Sequence, residues 1–410
     1  MDLPQIKEYQ PGLADLKDIA RVHFCVPDIE SQITEAHLIS AGSALVMADA
    51  FMQDEVKNSF AIIRPPGHHS MTVSHGNRGF CNINNEAIMV EYLRKKYNVK
   101  KIAIVDTDVH HGDGTQEIFY HDPDVLFISF HQDGRTLYPG TGFMDEAGGP
   151  LAYGSTINIP LAPGTTDSGI LYVMDNLVLP ILDEFKPDVI VNSAGQDSHY
   201  SDPLANMAFS AQGYARLNTK LAPDIAVLEG GYSVETALPY INMGLIMAMA
   251  GIDYSNLSEP DYKPERFKES ERNLAYIKSI VKKQLDLFRH REEVVAKNRK
   301  DAEYFHNYYK QIFYDTDYIH EEQQNRLRMC PDCCGFRIIN SSAQHRNGQL
   351  YRVLCIAIPV NACQQCHAEA ISAYADMVKS GDAFDLIYLQ DRVNDEYKVL
   401  DITSSREIVL

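Results

Sequence analysis

Between Ile62 and Leu238 the chain repeats one pattern: a short aliphatic run without alternation, a polar turn, then a stretch with helical spacing. Ile102-Ala103-Ile104-Val105, Val125-Leu126-Phe127-Ile128, Val189-Ile190-Val191 and Ile225-Ala226-Val227-Leu228 are the clearest runs. Such runs suit strands covered on both faces, and helical stretches between them make βαβ units. The predicted fold class is therefore α/β with a central, mostly parallel sheet. Each run ends in chemistry-bearing residues: Asp106, then Ser129-Phe130-His131, Asn192-Ser193-Ala194-Gly195 and Glu229-Gly230-Gly231-Tyr232. Ligands of these sheets bind beyond the carboxyl ends of the strands, so function is sought there.

Further along, two prolines and several charges in residues 254–266 mark a domain edge. Leu274, Ile277, Val281, Leu285 and Phe288 then recur at helical spacing and predict an amphipathic helix packed on the preceding unit. The charged stretch 291–329 reads as a helical connector. Phe384–Leu389 and Tyr397–Ile402 read as strands within a small module at 330–410. The expected division is thus 1–290, 291–329 and 330–410.

Composition narrows the class. The 410 residues are 45% hydrophobic and 23% charged, which excludes fibrous and wholly disordered chains. Nearly all of the net charge of −19 lies in the first 255 residues. That acidity disfavours a nucleic-acid partner and suits cationic ligands, although solubility alone would also account for it. The apolar run Ile241–Gly251 is too short to cross a membrane. Met1-Asp2-Leu3-Pro4-Gln5 has neither the basic nor the apolar region of a signal peptide. A cytoplasmic protein with no membrane partner is expected, and a homo-oligomer is left open.

Cysteine is concentrated late: six of the eight fall between Cys330 and Cys366. This spacing reads as a local metal site and not as a disulfide framework. Cys330 and Cys333, with Cys363 and Cys366, offer four thiolates for tetrahedral Zn²⁺ in a zinc-ribbon-like module. Redox or merely buried cysteines are the alternative.

Eight of the fifteen histidines lie between His68 and His199. Asp106, Asp108 and His110 leave a strand at a period of two, so they project to one side. Asp197, at another strand end, could complete a set of two carboxylates and one imidazole. That set with an open position suits catalytic Zn²⁺, and Fe²⁺ also fits. The adjacent His68 and His69 follow a Pro-Gly turn, where they could serve as base and acid for hydrolysis. Asp106 and Asp113 remain to orient them, and the Tyr232 phenol could donate to a developing oxyanion. Loop capping is the plainer reading of one such Asp or His, but not of all together.

These residues sit in RPPGHH at 64–69, GFCNINN at 79–85, DTDVHHGDGT at 106–115, HQDGRTLYPGTG at 131–142, SAGQDSHYSDP at 193–203 and LEGGY at 228–232. In them the chain resembles the zinc-dependent histone deacetylase superfamily, in its class II-like prokaryotic branch, over roughly residues 20–290. The resemblance implies an arginase/deacetylase-like three-layer fold. It implies Asp108, His110 and Asp197 as zinc ligands, His69 as the main general base and acid linked to Asp113, His68 linked to Asp106, and Tyr232 as the carbonyl-polarising donor. It implies a substrate channel lined by Gly79, Phe80, Tyr138 and Leu204, with Asp28 offered as the acid at its rim. It further implies a structural K⁺ near Asp106, Asp108, His110, Ser129 and Phe130, and a second near Phe119, Asp122 and Val125. Arginases hold two metals through extra aspartates, which are absent around His110 and Asp197, so one catalytic ion is expected. The expected activity is removal of an acyl group from lysine side chains of proteins or peptides. Acetylpolyamine hydrolysis and non-catalytic acyl-lysine binding are the alternatives.

Overall fold

The four aliphatic runs become neighbouring strands of one sheet. The computed structural model describes residues 4–380 and 383–410; Met1–Leu3, part of the segment read for a leader, lie outside them. The first strands are β1 (Phe24–Cys25), β2 (Ser59–Ala61), β3 (Val73–Ser74), β4 (Ile102–Asp106), β5 (Val125–Gln132), β6 (Thr156–Leu161), β7 (Val189–Ser193) and β8 (Ile225–Val227). Six of them form a parallel sheet in the order β2-β8-β7-β4-β5-β6. Every residue of β4, β5 and β6 is buried, which is why these segments lack polar alternation.

Two apolar cores flank the sheet and complete three layers. One gathers Ile128, Phe130, Ile159, Tyr214, Ile277 and Phe288; the other gathers Ile88, Met89, Leu93, Ile104 and Phe127. The predicted amphipathic helix spans Glu271–Arg289, is capped by Ser270, and buries Ile277, Ile280, Val281 and Phe288 in the first core. The chain runs from β4 outward through β5 to β6, then returns to place β7 and β8 on the other side of β4. The β4–β7 boundary is therefore the topological switch point, where loops diverge and leave a crevice.

The region after residue 290 departs from expectation. Only Arg291–Lys300 of the expected helical connector is a long helix; residues beyond it form the hairpin β9 (Phe305–Tyr314) and β10 (Ile319–Arg328). These continue into β11 (Arg337–Gln344), β12 (Leu350–Ile358), β13 (Leu386–Asp391), β14 (Glu396–Asp401) and β15 (Arg406–Val409), one seven-stranded sheet. The strands expected near 384–389 and 397–402 are β13 and β14. The hairpin escaped notice because β10 buries polar side chains: Ile319, Glu321, Gln323, Asn325 and Leu327 alternate inward, and a ladder of amide and carboxylate bonds joins the middle three. Period two is present in burial but invisible in hydropathy.

The zinc-ribbon-like module expected at 330–410 keeps its four-cysteine cluster but shares one seven-stranded sheet with β9 and β10. The first CxxC lies between β10 and β11, but the second opens the helix Gln364–Ser380, which covers one face of the sheet through Ala370 and Tyr374. The opposite face packs on the first unit, joining Val353, Cys355 and Tyr388 to Phe24, Val26 and Val73. Buried Glu117 pairs with Arg337 at 2.8 Å and Lys310 at 3.0 Å across this seam. Among the described residues no helix is long and apolar enough to cross a membrane.

Candidate active site

At the switch point the segment leaving β4 meets the one leaving β7. One ligand atom each from Asp108, His110 and Asp197 lies within 4.8 Å of the others, and all three residues are buried. His110 Nδ1 stands 3.0 Å from Asp197 Oδ2 and 3.2 Å from Asp108 Oδ1. The backbone fixes both carboxylates: Val109 N–H donates to Asp197, His110 N–H to Asp108, and Gly230 N–H to Asp108. A Cβ on Gly230 would come within 2.2 Å of Asp197 Oδ2 and 2.5 Å of Asp108 Oδ2, so only glycine lets the backbone pass this close.

The donor set suits a divalent cation, and so does the charge around it. Burial and the adjacent Asp108 push Asp197 up to about 6. Burial, with Glu86 and Asp108 adding and His68 opposing, pushes Asp106 up to about 7. Glu86 and Glu229, also fully buried here, are raised as well, first by burial. So many buried carboxyls are short of positive charge, which a bound cation would supply.

The paired histidines face this cluster. His68 Nδ1 lies 3.2 Å from Asp106 and His68 Nε2 3.8 Å from Asp108; His69 Nδ1 lies 2.8 Å from Asp113. Burial would lower both imidazoles. For His68 the Asp108 and Asp106 carboxylates outweigh it and raise the group well above its ordinary value. For His69 the neighbouring His68 and Arg78 add to burial and hold it well below. The His-His turn is itself anchored, since Gly67 and His68 N–H both donate to Glu229 Oε2 at 2.7 and 3.1 Å.

Aromatic walls enclose the cluster. Tyr138 packs edge-on to His69 at 5.1 Å and to His110 at 6.2 Å between centroids. Phe80 lies 5.8 Å from Tyr232, whose ring stands 6.4 Å from His110. Gly79 fits between His69 and Tyr138, where a Cβ would meet them at 2.4 and 3.0 Å. Asp202 holds two wall residues at once, accepting from Tyr232 N–H at 2.8 Å and Leu204 N–H at 2.9 Å.

Of the residues expected for K⁺, Asp106 and Ser129 are register partners on β4 and β5, with Phe130 next along. Asp122 is engaged by Arg94 at 2.6 Å. Asp28 caps a short helix, accepting from Ser31 N–H at 2.7 Å. The supporting roles of three residues escaped the sequence reading: Glu229, Asp202 and Arg78, the last ion-paired with Asp113 at 2.6 Å. Glu229 and Asp202 lay inside quoted motifs, but their partners are distant in sequence.

At the second centre Cys330, Cys333, Cys363 and Cys366 also bring their sulfurs within 4.8 Å of one another. Backbone N–H groups of Asp332, Gly335 and Cys366 point at three of these sulfurs, at 3.3–3.5 Å, as thiolate ligands require.

The profile of the histone deacetylase domain matches residues 14–244. The chain belongs to the histone deacetylase family. A probable deacetylase of Archaeoglobus fulgidus is 50% identical over 238 residues, covering 56% of this chain and 65% of that protein. The chloroplastic histone deacetylase 14 of Arabidopsis thaliana is 40% identical, over 48% of this chain and 49% of that protein. A probable deacetylase of Methanothermobacter thermautotrophicus is 37% identical over 60% and 80%. The chain thus spans about half to four fifths of these relatives. The crystal structure of the HDA15 HD domain matches 72% of the chain with a TM-score of 0.59 and 27% identity. The seven-stranded sheet, starting at Phe305, lies wholly beyond the matched deacetylase domain.

Proposed function

We propose that the protein is a metal-dependent amidohydrolase that removes an acyl group from a lysine side chain. The observation that carries this reading is the convergence of Asp108, His110, Asp197, the His69–Asp113 pair and Tyr232 on one buried point at the switch crevice.

A divalent cation held by Asp108, His110 and Asp197, with Zn²⁺ preferred and Fe²⁺ fitting the same donors, would lend Lewis acidity to the amide carbonyl and the attacking water. His69, its Nδ1 turned to Asp113, presents Nε2 as the base that takes a proton from water as the C–O bond forms. Tyr232 donates a hydrogen bond to the carbonyl oxygen as it gains charge. When the C–N bond breaks, the proton returns from the imidazole pair to the leaving amine, giving a carboxylate and a free lysine. Asp106 fixes His68 beside this path. A K⁺ at Asp106, Asp108, His110, Ser129 and Phe130 would offset the surplus buried charge, and Zn²⁺ on the four cysteines would fasten the helix Gln364–Ser380 to the sheet.

The acidic surface supports a cationic substrate, and the aromatic walls suit an extended acylated amine. Four of the eight cysteines gather as candidate zinc ligands, a use of cysteine that supports a reducing, cytoplasmic setting. Turnover of an acetyl-lysine peptide, acetylspermidine and longer acyl-lysines by metal-quantified protein tests the reading. Preferred cleavage of the peptide is expected; preferred cleavage of acetylspermidine would make the polyamine reading correct, and cleavage of none would leave acyl-lysine binding.

A further inference from the structure

The tip of the β9–β10 hairpin, residues 315–318, reaches out of the appended sheet to the Asn77–Phe80 turn beside the site. Gly79 N–H donates to Asp315 Oδ1 at 3.1 Å, and Asn77 N–H donates to Asp317 Oδ2 at 2.6 Å. The tip is braced from behind. Arg346 donates to the carbonyls of Thr316 and Asp317 at 2.5 and 2.6 Å, and Met71 packs with Ile312, Tyr314, Ile319 and Ala343.

The segment it grips needs holding. Gly79 and Phe80 are successive left-handed residues, at φ +54° and +67°, and for Phe80 that region is unfavourable. From this turn Gly79 lies against His69 and Tyr138, Phe80 against Tyr232, and Arg78 pairs with the carboxylate that orients His69. One short segment thus sets two walls and the base.

We infer that Asp315 and Asp317 are positioning residues for the proposed reaction: the hairpin fixes the Asn77–Phe80 turn, and the seven-stranded sheet is part of the catalytic unit, not a separate docking module. The inference rests on the amidohydrolase reading for its kinetic consequence. Asp315→Asn keeps an oxygen to accept the Gly79 N–H, whereas Asp315→Ala and Asp317→Ala do not.

Hydrogen exchange and kinetics on the full-length, metal-loaded protein test it. In Asp315→Ala the Gly79 amide, and in Asp317→Ala the Asn77 amide, should exchange about tenfold faster. KM for an acetyl-lysine peptide should rise about tenfold, as loss of one charge-assisted hydrogen bond allows, with a smaller change in kcat. Asp315→Asn should restore both to within a few fold. Unchanged exchange in both alanine variants overturns the inference whatever the activity. Faster exchange with kcat/KM unchanged overturns it as well. A wild-type protein that cleaves no acylated amine overturns the amidohydrolase reading and, with it, the kinetic half of this one.

Discussion

His69 Nδ1 lies 2.8 Å from one oxygen of Asp113, and Arg78 holds the other oxygen at 2.6 Å. The carboxylate is fixed from both sides, so the imidazole has one tautomer and one orientation, with Nε2 directed away from Asp113. His68 is held less closely, at 3.2 Å from Asp106. His69→Ala should therefore lower kcat by about 10²–10⁴, and His68→Ala by less. Asp113→Asn, which keeps shape but permits the wrong tautomer, should fall between them. Circular dichroism and metal content should match wild type in all three. Wild-type turnover by His69→Ala would remove it as the base.

Tyr232 is placed by its backbone. Its N–H is held by Asp202, the preceding Gly231 carbonyl accepts from Arg64 at 2.7 Å, and Phe80 borders the ring. Tyr232→Phe leaves these contacts intact and deletes only the donor. Its kcat for acetyl-lysine peptide should fall about 10²–10³ with KM little changed, because the hydrogen bond strengthens only as the oxygen gains charge. A rise in KM at constant kcat would instead make the phenol a ground-state binding group.

The parallel sheet and the Asp108–His110–Asp197 cluster were legible because their signals are local. Uninterrupted aliphatic runs marked β4, β5, β7 and β8, and Asp108 and His110 leave β4 within four residues of its end. The parts that could not be read depend on partners remote in the chain. Arg78 matters through Asp113, Glu229 through Gly67, and Asp315 through Gly79, a separation no periodicity reports. The β9–β10 hairpin was misread for a different reason. Its inward positions carry Glu321, Gln323 and Asn325, which satisfy one another, so a buried strand looks like a solvated helix. The spacing of the second CxxC picked out its two thiols but did not show that a helix starts there, because CxxC spacing is compatible with either local structure.

Two chemically different metal centres should separate by mutation. Cys366→Ser removes one thiolate from the four-sulfur set, whereas Asp197→Ala removes one carboxylate from the buried Asp108–His110–Asp197 set. Purified wild-type protein should hold two divalent equivalents by plasma mass spectrometry. Each variant should hold one. Cys366→Ser should also lower the unfolding temperature, because binding at a structural zinc site contributes directly to folding. Asp197→Ala should abolish turnover while leaving that temperature near wild type. One equivalent in the wild type would contradict one of the two assignments.

The contribution of Glu321 to stability should fall as pH rises toward neutrality. This fully buried carboxyl is pushed from 4.5 up to about 7, first by burial, with Glu117 adding and the Ser341, Gln323 and Tyr314 contacts opposing. Hydrogen-bond arithmetic agrees. The Tyr314 hydroxyl stands 2.7 Å from the Val73 carbonyl and 2.8 Å from Glu321 Oε2, yet has one proton. If it donates to the carbonyl, Glu321 must be the donor in the other bond and so be protonated. The folded state then keeps a proton that the unfolded chain releases between about pH 4.5 and 7. Stability from this group is full below that window and lost as pH rises through it, by up to about 3 kcal/mol. His75, 3.6 Å away and lowered by burial to about 3, acts in the opposite sense between about pH 3 and 6.5, across most of the same window. Comparison with Glu321→Gln removes that contribution, since both proteins carry His75. Urea unfolding at pH 5 and pH 8 should find the variant gaining on wild type by about 2–3 kcal/mol between the two. Parallel pH curves would mean that Glu321 is ionised in the folded protein and that Tyr314 donates to it.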